Sequence, residues 1–312
     1  MRIIGVVATY NEELAIAACL EHHIAQGIEL YLLDNESTDH TVAIAQTFLG
    51  RGLLGIESVV RRQSQFDLNR LLTRKQELAF LLDADWFIHL DADEMRLAPD
   101  GDQNLAQAIG AADAAGYNAI NFLEFTFIPT VESPDHAHGN FKATMRWYYP
   151  FLPQSLHRVN GWKKQPQPVD LVSRSGHFVS FPGQFIYPLP FRMCHYQFLS
   201  VDHAIQKYAQ RRHPAAELAQ GKHGWREQLD PASIRLPAES ELHELKEVDC
   251  LDFSHPRAVH FLDNRTRNPE IGFEGNNPQY AYLLKLPASI LIQTLIRKTA
   301  LWVKRTLRIG HS

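Results

Sequence analysis

The sequence predicts an α/β fold, a mostly parallel sheet with helices on both faces. Two observations carry this prediction. Short apolar runs alternate with segments of helical periodicity through the N-terminal part of the chain. Three of those runs stop abruptly at clusters of Asp, Asn, Glu and Thr, as strands do where a sheet opens onto a ligand.

Ile3 to Ala8 is continuously apolar and reads as a central parallel strand. Glu12 to Gln26 follows with Leu14, Ala17, Leu20 and Ile24 at helical spacing. Glu29 to Leu33 is a second strand, and Ser37 and Asp39 are helix-start residues before Val42, Ala45 and Leu49. Leu53 to Val60 is a third strand. A helix is expected over Asp67 to Leu82, with Leu68, Leu71, Leu72, Leu78 and Leu82 on its apolar side. Trp86 to Leu90 is a fourth strand, and the run ends at Asp91, Asp93 and Glu94. Beyond it the pattern predicts a helix over Asn104 to Gly116 and a long strand over Ala119 to Phe127. Further strands are expected over Lys142 to Tyr149 and near Val169 to Val172. A helix capped by Ser200 or Asp202 should run through Arg212.

Composition sets milder bounds. The 312 residues are 45% hydrophobic and 21% charged, ordinary values for a globular protein. A formal charge of −4 argues against nucleic acid as the main partner. Cys19, Cys194 and Cys250 have no metal-like spacing and form no even framework, so a cytoplasmic, reducing setting is expected. The N-terminus does not read as a signal peptide, and no apolar stretch is long enough to span a bilayer. The glycine fingerprints of dinucleotide folds and of phosphate loops are missing after the first strand, so no glycine cradle holds a nucleotide here.

A strand that ends in carboxylates needs a reason, because unpaired charge at the edge of a core is costly. Hard carboxylate oxygens suit Mg²⁺ or Mn²⁺, and such an ion commonly carries a diphosphate. The alternative for each cluster alone is a solvated turn with helix caps, above all for Ser37 and Asp39. Three clusters at the ends of parallel strands would share one rim.

Ala8-Thr9-Tyr10-Asn11-Glu12-Glu13, Asp34-Asn35-Glu36-Ser37-Thr38-Asp39 and Asp91-Ala92-Asp93-Glu94 together resemble the signatures of glycosyltransferase family 2. Ala84-Asp85-Trp86 before the last of them is similar to the bacterial branch with a DADE form of the Asp-x-Asp motif. The resemblance covers residues 1–98 and extends more loosely to His195-Tyr196 and Ser200 to Lys207. It implies a GT-A fold, the Rossmann-like nucleotide-diphospho-sugar transferase sheet, with a C-terminal helical extension. The expected organisation is a GT-A domain over 1–212 and a loop-rich and helical extension over 213–312. Within the domain, 1–98 would be the nucleotide-sugar half and 99–212 the acceptor half.

The implied activity is transfer of a sugar from a nucleotide-diphospho-sugar, a UDP-sugar by the family's habit, to a glycan or lipid-linked acceptor hydroxyl, with inversion. A role in bacterial surface glycan synthesis follows from the resemblance alone. Thr9, Asn11, Glu12, Asp34, Asn35, Asp39, Asp91 and Lys207 would bind the nucleotide sugar. Asp93 would be a direct ligand of Mn²⁺ or Mg²⁺, while Asp91 would reach the ion through water or bind the ribose. His195 is either a late metal ligand or a packed histidine beside Cys194 and Tyr196, with His177 a weaker rival. Lys207 and Arg211, one helical turn apart, either touch the diphosphate or form a solvated face.

Glu124, alone between Leu123 and Phe125, is the expected catalytic base, with Asp135 and Asp170 as alternatives. Trp147 and Trp162 either stack on a sugar or belong to the core. A sugar-phosphate nucleotidyltransferase would normally carry a Gly-rich, Arg-containing loop in place of Thr9 to Glu13. A phosphotransferase with an Asp nucleophile would place Asp-x-Asp after the first strand. A non-catalytic nucleotide-sugar-binding protein stays open.

No Asp or Glu follows Glu274, while six Lys and Arg residues do. A helix over 288–309 would set Leu291, Ile292, Leu295, Ile296, Trp302 and Val303 opposite Arg297, Lys304, Arg305 and Arg308. Such a basic amphipathic helix suits the anionic inner face of a membrane, as a peripheral contact, or packing on protein.

Overall fold

The computed structural model describes residues 1–263, apart from 154–155, 224–225, 227–228 and 248–249. The helix expected over 288–309 lies outside the described residues.

The N-terminal part alternates strand and helix in the expected order: β1 Ile3–Thr9, α1 Ile16–Ala25, β2 Glu29–Asp34, α2 Thr41–Gln46, β3 Leu53–Ser58, α3 Leu68–Leu81 and β4 Trp86–Asp91. Strands β4, β1, β2 and β3 lie side by side, all parallel. The runs of β1 and β4, at the centre, are buried on both faces, which is why they read as continuous, whereas β3 at the edge is largely half-buried. Asp67 caps α3 by accepting a hydrogen bond from Arg70 N at 2.9 Å.

After β4 the chain turns at Ala92-Asp93 into β5 Glu94–Leu97. Helix α4 Leu105–Ala114, with Asn104 and Gln107 in a capping box, leads to β6 Ala119–Phe127. A short helical turn, α5 Phe141–Thr144, precedes β7 Trp147–Phe151, and β8 Val159–Lys163 follows. The strand expected over Lys142 to Tyr149 is therefore half helical turn, and pairing starts only at Trp147. Val169 to Val172 is not a strand: its one ladder contact is a bridge between Asp170 and Ser180. The amides of Leu171 and Val172 donate to Gln76 Oε1 instead, at 2.7 and 3.2 Å, and their carbonyls accept from the turn that follows.

Strand β8 pairs antiparallel with both β4 and β6, closing the two halves into one sheet. Strand β9 Phe191–Tyr196 lies between β5 and β6, antiparallel to the first and parallel to the second. It sets His195 opposite Glu94 on one side and Thr126 on the other. The helix expected through Arg212 is shorter: α6 Val201–Ala204 runs into a π-helical turn at Ile205–Ala209 and stops. Ser200 caps it, accepting from His203 N at 3.1 Å. A further helix, α7 Ala215–Ala219, lies beyond, and β10 His243–Glu244 pairs with β7 at the sheet edge. Trp162 is core, stacked on Phe87 with ring centroids 6.2 Å apart. Among the described residues no helix is long and apolar enough to cross a membrane.

Candidate active site

Because β1, β2 and β4 are parallel neighbours, their carboxyl ends share one rim, and the three acidic clusters meet there. The loops after β1 and β2 are knitted together. Asn11, in the left-handed region at φ 54°, receives Thr38 N on Oδ1 at 2.8 Å, and its own N donates to Ser37 Oγ at 2.9 Å. Asp39 accepts from Glu13 N at 3.1 Å and from Thr41 N at 2.9 Å. Asp34 accepts from Ser37 N at 3.0 Å and faces the Thr9 hydroxyl. Asn35 donates from Nδ2 to Val59 O at 2.8 Å, leaving Oδ1 buried without a hydrogen-bond partner among the described residues. Asn11, Asp34, Asn35 and Asp39 thus build the wall of the cleft, while Thr9, Glu12, Asp91, Asp93, His195 and Lys207 line it.

The centre of the cleft is a chain of alternating charges. Lys207 Nζ lies 2.9 Å from Asp93 Oδ2 and 3.0 Å from Glu12 Oε2. His195 Nε2 lies 3.2 Å from the same Asp93 oxygen, and its Nδ1 lies 2.6 Å from Glu124 Oε1. Arg158 continues the chain, with Nε 2.8 Å from Glu124 Oε2 and a second contact to Glu94, which Arg96 also holds at 2.6 Å. All of these side chains are buried. An unpaired ion here would cost several kcal/mol, so alternation of sign is what makes the cluster tolerable.

The ionisation follows from the pairing. Burial works against the charged form of Asp93, but Lys207 and then His195 outweigh it and hold the carboxyl below the usual carboxylate range. Burial also opposes His195, yet Asp93 and Glu124 raise it to about 9, so both ring nitrogens donate. Glu124 stays well below the usual range because Arg158, then His195, overcome its burial. Glu12 is pushed up, because its burial exceeds what Lys207 returns.

Asp91 behaves differently. Its side chain is 50% exposed, and Oδ1 faces Lys75 Nζ at 3.6 Å and His89 Nε2 at 3.9 Å. Lys75 is fully buried beneath it, bonded to Leu90 O at 2.6 Å and to His89 Nδ1 at 3.0 Å. Burial lowers the Lys75 ammonium from its ordinary value. Asp93 and His195 therefore adjoin, whereas Asp91 is turned toward Lys75. Among the described residues no three His, Cys, Asp or Glu side chains stand as a metal-ligand set. Asp93 and, once its Nε2 proton is displaced, His195 offer oxygen and nitrogen donors that fit Mn²⁺ or Mg²⁺, with Glu12 the next carboxylate along.

Glu124 does not line the cleft; its neighbours are His195, Arg158, Thr126 and, at 3.7 Å, His157. Asp135 and Asp170 do not line it either. Arg211 does: its guanidinium lies over the rings of Tyr10 and Phe66, its Nη2 donates to Tyr10 O at 3.3 Å, and its Nε is buried without a hydrogen-bond partner. His177 lines the cleft as well, with its Nδ1 3.3 Å from His157 Nε2.

Sequence reasoning missed Lys75, Arg158 and Arg96, and took Glu94 as part of the acidic cluster without its buried partners. Only Lys75 gives a signal. It falls at helical spacing among Leu71, Leu72, Leu78 and Leu82, so the apolar face of α3 carries one ammonium.

The fold is a mixed α/β sheet, and residues 6–150 match the family model described as glycosyl transferase family 2. That stretch, somewhat less than half of the chain, is similar to the family. No curated protein matches the chain. Among solved structures, the chain is similar to S. aureus TarS 1–349 in complex with UDP, at 17% identity over 42% of this chain and 36% of that one, TM-score 0.30. The same protein with UDP-GlcNAc gives 13% identity, 53% and 45% coverage and a TM-score of 0.32. Glucosyl-3-phosphoglycerate synthase from Mycobacterium tuberculosis, in complex with Mn²⁺, UDP and glucosyl-3-phosphoglycerate, gives 19%, 40%, 44% and 0.28. In each case less than half of the known chain's length is spanned.

Proposed function

We propose that the chain transfers a sugar from a nucleotide-diphospho-sugar, a UDP-sugar, to the hydroxyl of an acceptor. The observation that carries this reading is Asp93 at the carboxyl end of β4, shared by His195 and Lys207 in a cleft whose wall is the family 2 match. In the reaction the acceptor oxygen attacks the anomeric carbon. The bond from that carbon to the diphosphate oxygen breaks, its electron pair leaves with the nucleoside diphosphate, and the hydroxyl proton passes to a carboxylate of the cleft. Attack from the face opposite the leaving group inverts the carbon.

Thr9 and Glu12 lie where the nucleotide enters, with Asn11, Asp34, Asn35 and Asp39 holding the loops that shape its pocket. The unsatisfied Arg211 Nε and Asn35 Oδ1 support a polar ligand there. Asp93 and His195 would hold Mn²⁺ or Mg²⁺, with Asp91 joining through water or binding the ribose. When bound, the ion supplies positive charge to the departing diphosphate. Lys207, released from Asp93, is placed to give the same charge from the protein. Glu124 orients His195 rather than meeting the acceptor itself. A glycan or lipid-linked acceptor, in bacterial surface glycan synthesis at the inner face of a membrane, is the context we propose.

The test is release of nucleoside diphosphate from a panel of nucleotide sugars with Mn²⁺ or Mg²⁺. Turnover of at least one donor is expected in the wild type, and Asp93→Ala should abolish it. No release from any donor, with or without acceptor extracts, would reject the enzymatic reading and favour a binding protein.

A further inference from the structure

A second hollow of about 670 Å³ adjoins the acidic cleft, and Ser175, His177 and Lys222 line both. Among the described residues its remaining polar lining comes from His157, Ser173, Arg174 and Gln220, with no carboxylate. Asp170 and Glu217 stand on the flanking segments: Asp170 accepts from Ser173 N at 3.0 Å and feels the charge of Lys222, and Glu217 accepts from Asn69 N at 2.6 Å. Arg174 lines this hollow and not the acidic cleft, while Lys222 lines both.

The wall of this hollow is built rather than incidental. Ser175 and Gly176 both have positive φ, 53° and 79°. The turn is closed by Ser175 N to Val172 O at 3.1 Å, Gly176 N to Leu171 O at 2.9 Å and His177 N to Arg174 O at 3.0 Å. A Cβ at position 176 would stand 2.9 Å from the His89 ring, so the turn is seated directly on β4. Lys222 spends two of its three ammonium protons on Asn69 Oδ1 and on Val172 O, the latter at 3.0 Å, and one remains. Arg174 is exposed, rests on the Phe178 ring at 4.9 Å and makes no ion pair among the described residues.

We propose that this hollow is the acceptor subsite, and that it takes an acceptor bearing a phosphate group, with Arg174 and Lys222 as its anion contacts and the hydroxyl to be glycosylated directed past His177 toward Asp93. The proposal rests on the donor reading of the neighbouring cleft. A guanidinium fork and an ammonium together match a phosphate's charge and geometry. His157 and His177, both kept neutral by burial first and by Arg158 next, then add uncharged hydrogen-bonding capacity beside it.

Calorimetric titration of the full chain tests this, with nucleoside diphosphate and Mn²⁺ saturating so that the donor cleft is blocked. The probes are inorganic phosphate, glycerol phosphate, glycerate and glycerol. Both phosphates should bind the wild type, glycerate should bind more weakly, and glycerol should not bind. Arg174→Ala should weaken phosphate by about tenfold, the value of one charge-assisted hydrogen bond. Arg174→Lys should restore most of it, and Lys222→Gln should weaken it independently. Phosphate affinity indifferent to Arg174→Ala and Lys222→Gln would overturn the subsite. Glycerate binding as tightly as glycerol phosphate would overturn phosphate as the recognised group. Failure of nucleoside diphosphate to bind the wild type would count against the donor reading alone, since the Arg174 comparison can be made without it.

Discussion

Glu124 accepts a hydrogen bond from His195 Nδ1 at 2.6 Å, while the opposite nitrogen of the same ring faces Asp93 at 3.2 Å. One imidazole thus ties a carboxylate of β6 to the acidic turn after β4. Glu124→Gln keeps the shape but weakens this grip and leaves Arg158 without its closest partner. Metal-dependent binding of nucleoside diphosphate should weaken by roughly tenfold, as when the partner of a ligating histidine is lost. Calorimetry with and without Mn²⁺ measures it. A fall in turnover of about 100-fold with unchanged metal-dependent binding would instead make Glu124 the base.

Lys207 is the shared counter-ion of Glu12 and Asp93. Lys207→Met leaves two buried carboxylates facing each other, at a cost of about 3–5 kcal/mol. Those same oxygens then become available to a divalent ion. Thermal unfolding should show a lower Tm than wild type, and Mn²⁺ should raise the mutant's Tm more than the wild type's. Equal shifts in the two proteins would separate Lys207 from the metal-binding carboxylates.

Glu217 lies at the N-terminus of α3, where its oxygens accept from Asn69 N at 2.6 Å and Leu68 N at 3.3 Å and face His223 Nε2 at 2.7 Å. Burial opposes its ionised form, but the His223 contact and the two amides prevail and depress its pKa. Its stabilising contribution is therefore complete above the ordinary glutamate value of about 4.3 and is lost as pH falls through the lower folded value. Glu217→Gln should cost about 1–3 kcal/mol at neutral pH. Urea unfolding across pH 3 to 7 checks this, and a mutant deficit that does not shrink toward the acid end would contradict the ionic account.

Gly176 is the tightest point of the turn that separates the two hollows. Gly176→Ala adds a Cβ 2.9 Å from His89 and 3.0 Å from Leu72, in a backbone region that L-residues avoid. The expected loss is about 2–4 kcal/mol, from the left-handed conformation and overpacking together. A chemical denaturation midpoint within error of wild type would mean the turn is not seated as described.

The strands β1 to β4 and β6 are legible in the sequence because each is a nearly unbroken apolar run. Strand β5 is not. It carries Glu94 and Arg96, which read as surface residues yet are buried against one another. Strand β9 is six buried residues that include Arg192 and His195, and its place between β5 and β6 depends on pairings across the whole fold. The acidic rim was readable because it sits at strand ends in chain order. The cations that balance it were not, except Lys207 and Arg211, because Arg158 and Lys75 reach the rim from a neighbouring strand and from beneath it. Glu124 stood out by the oddity of an acid in an apolar strand. That oddity marks a buried partner as readily as a reacting group, and here the partners are His195 and Arg158.

The position of β9 has a consequence for how the protein is made. A ribosome delivers β1 to β8 first, so a nascent chain ending before Phe191 already displays the acidic rim without His195 or Lys207. Glu12 and Asp93 then have to wait, hydrated, for cations that arrive later in synthesis, whereas Glu124 already has Arg158. Strand β9 adds to β6, and β5, which pairs with β9 among the described strands, can join the sheet only once β9 is in place. The centre is the last region to lose its water. Truncations upstream of residue 207 should keep the N-terminal strands and helices but carry a hydrated, cation-hungry rim in place of a dry one.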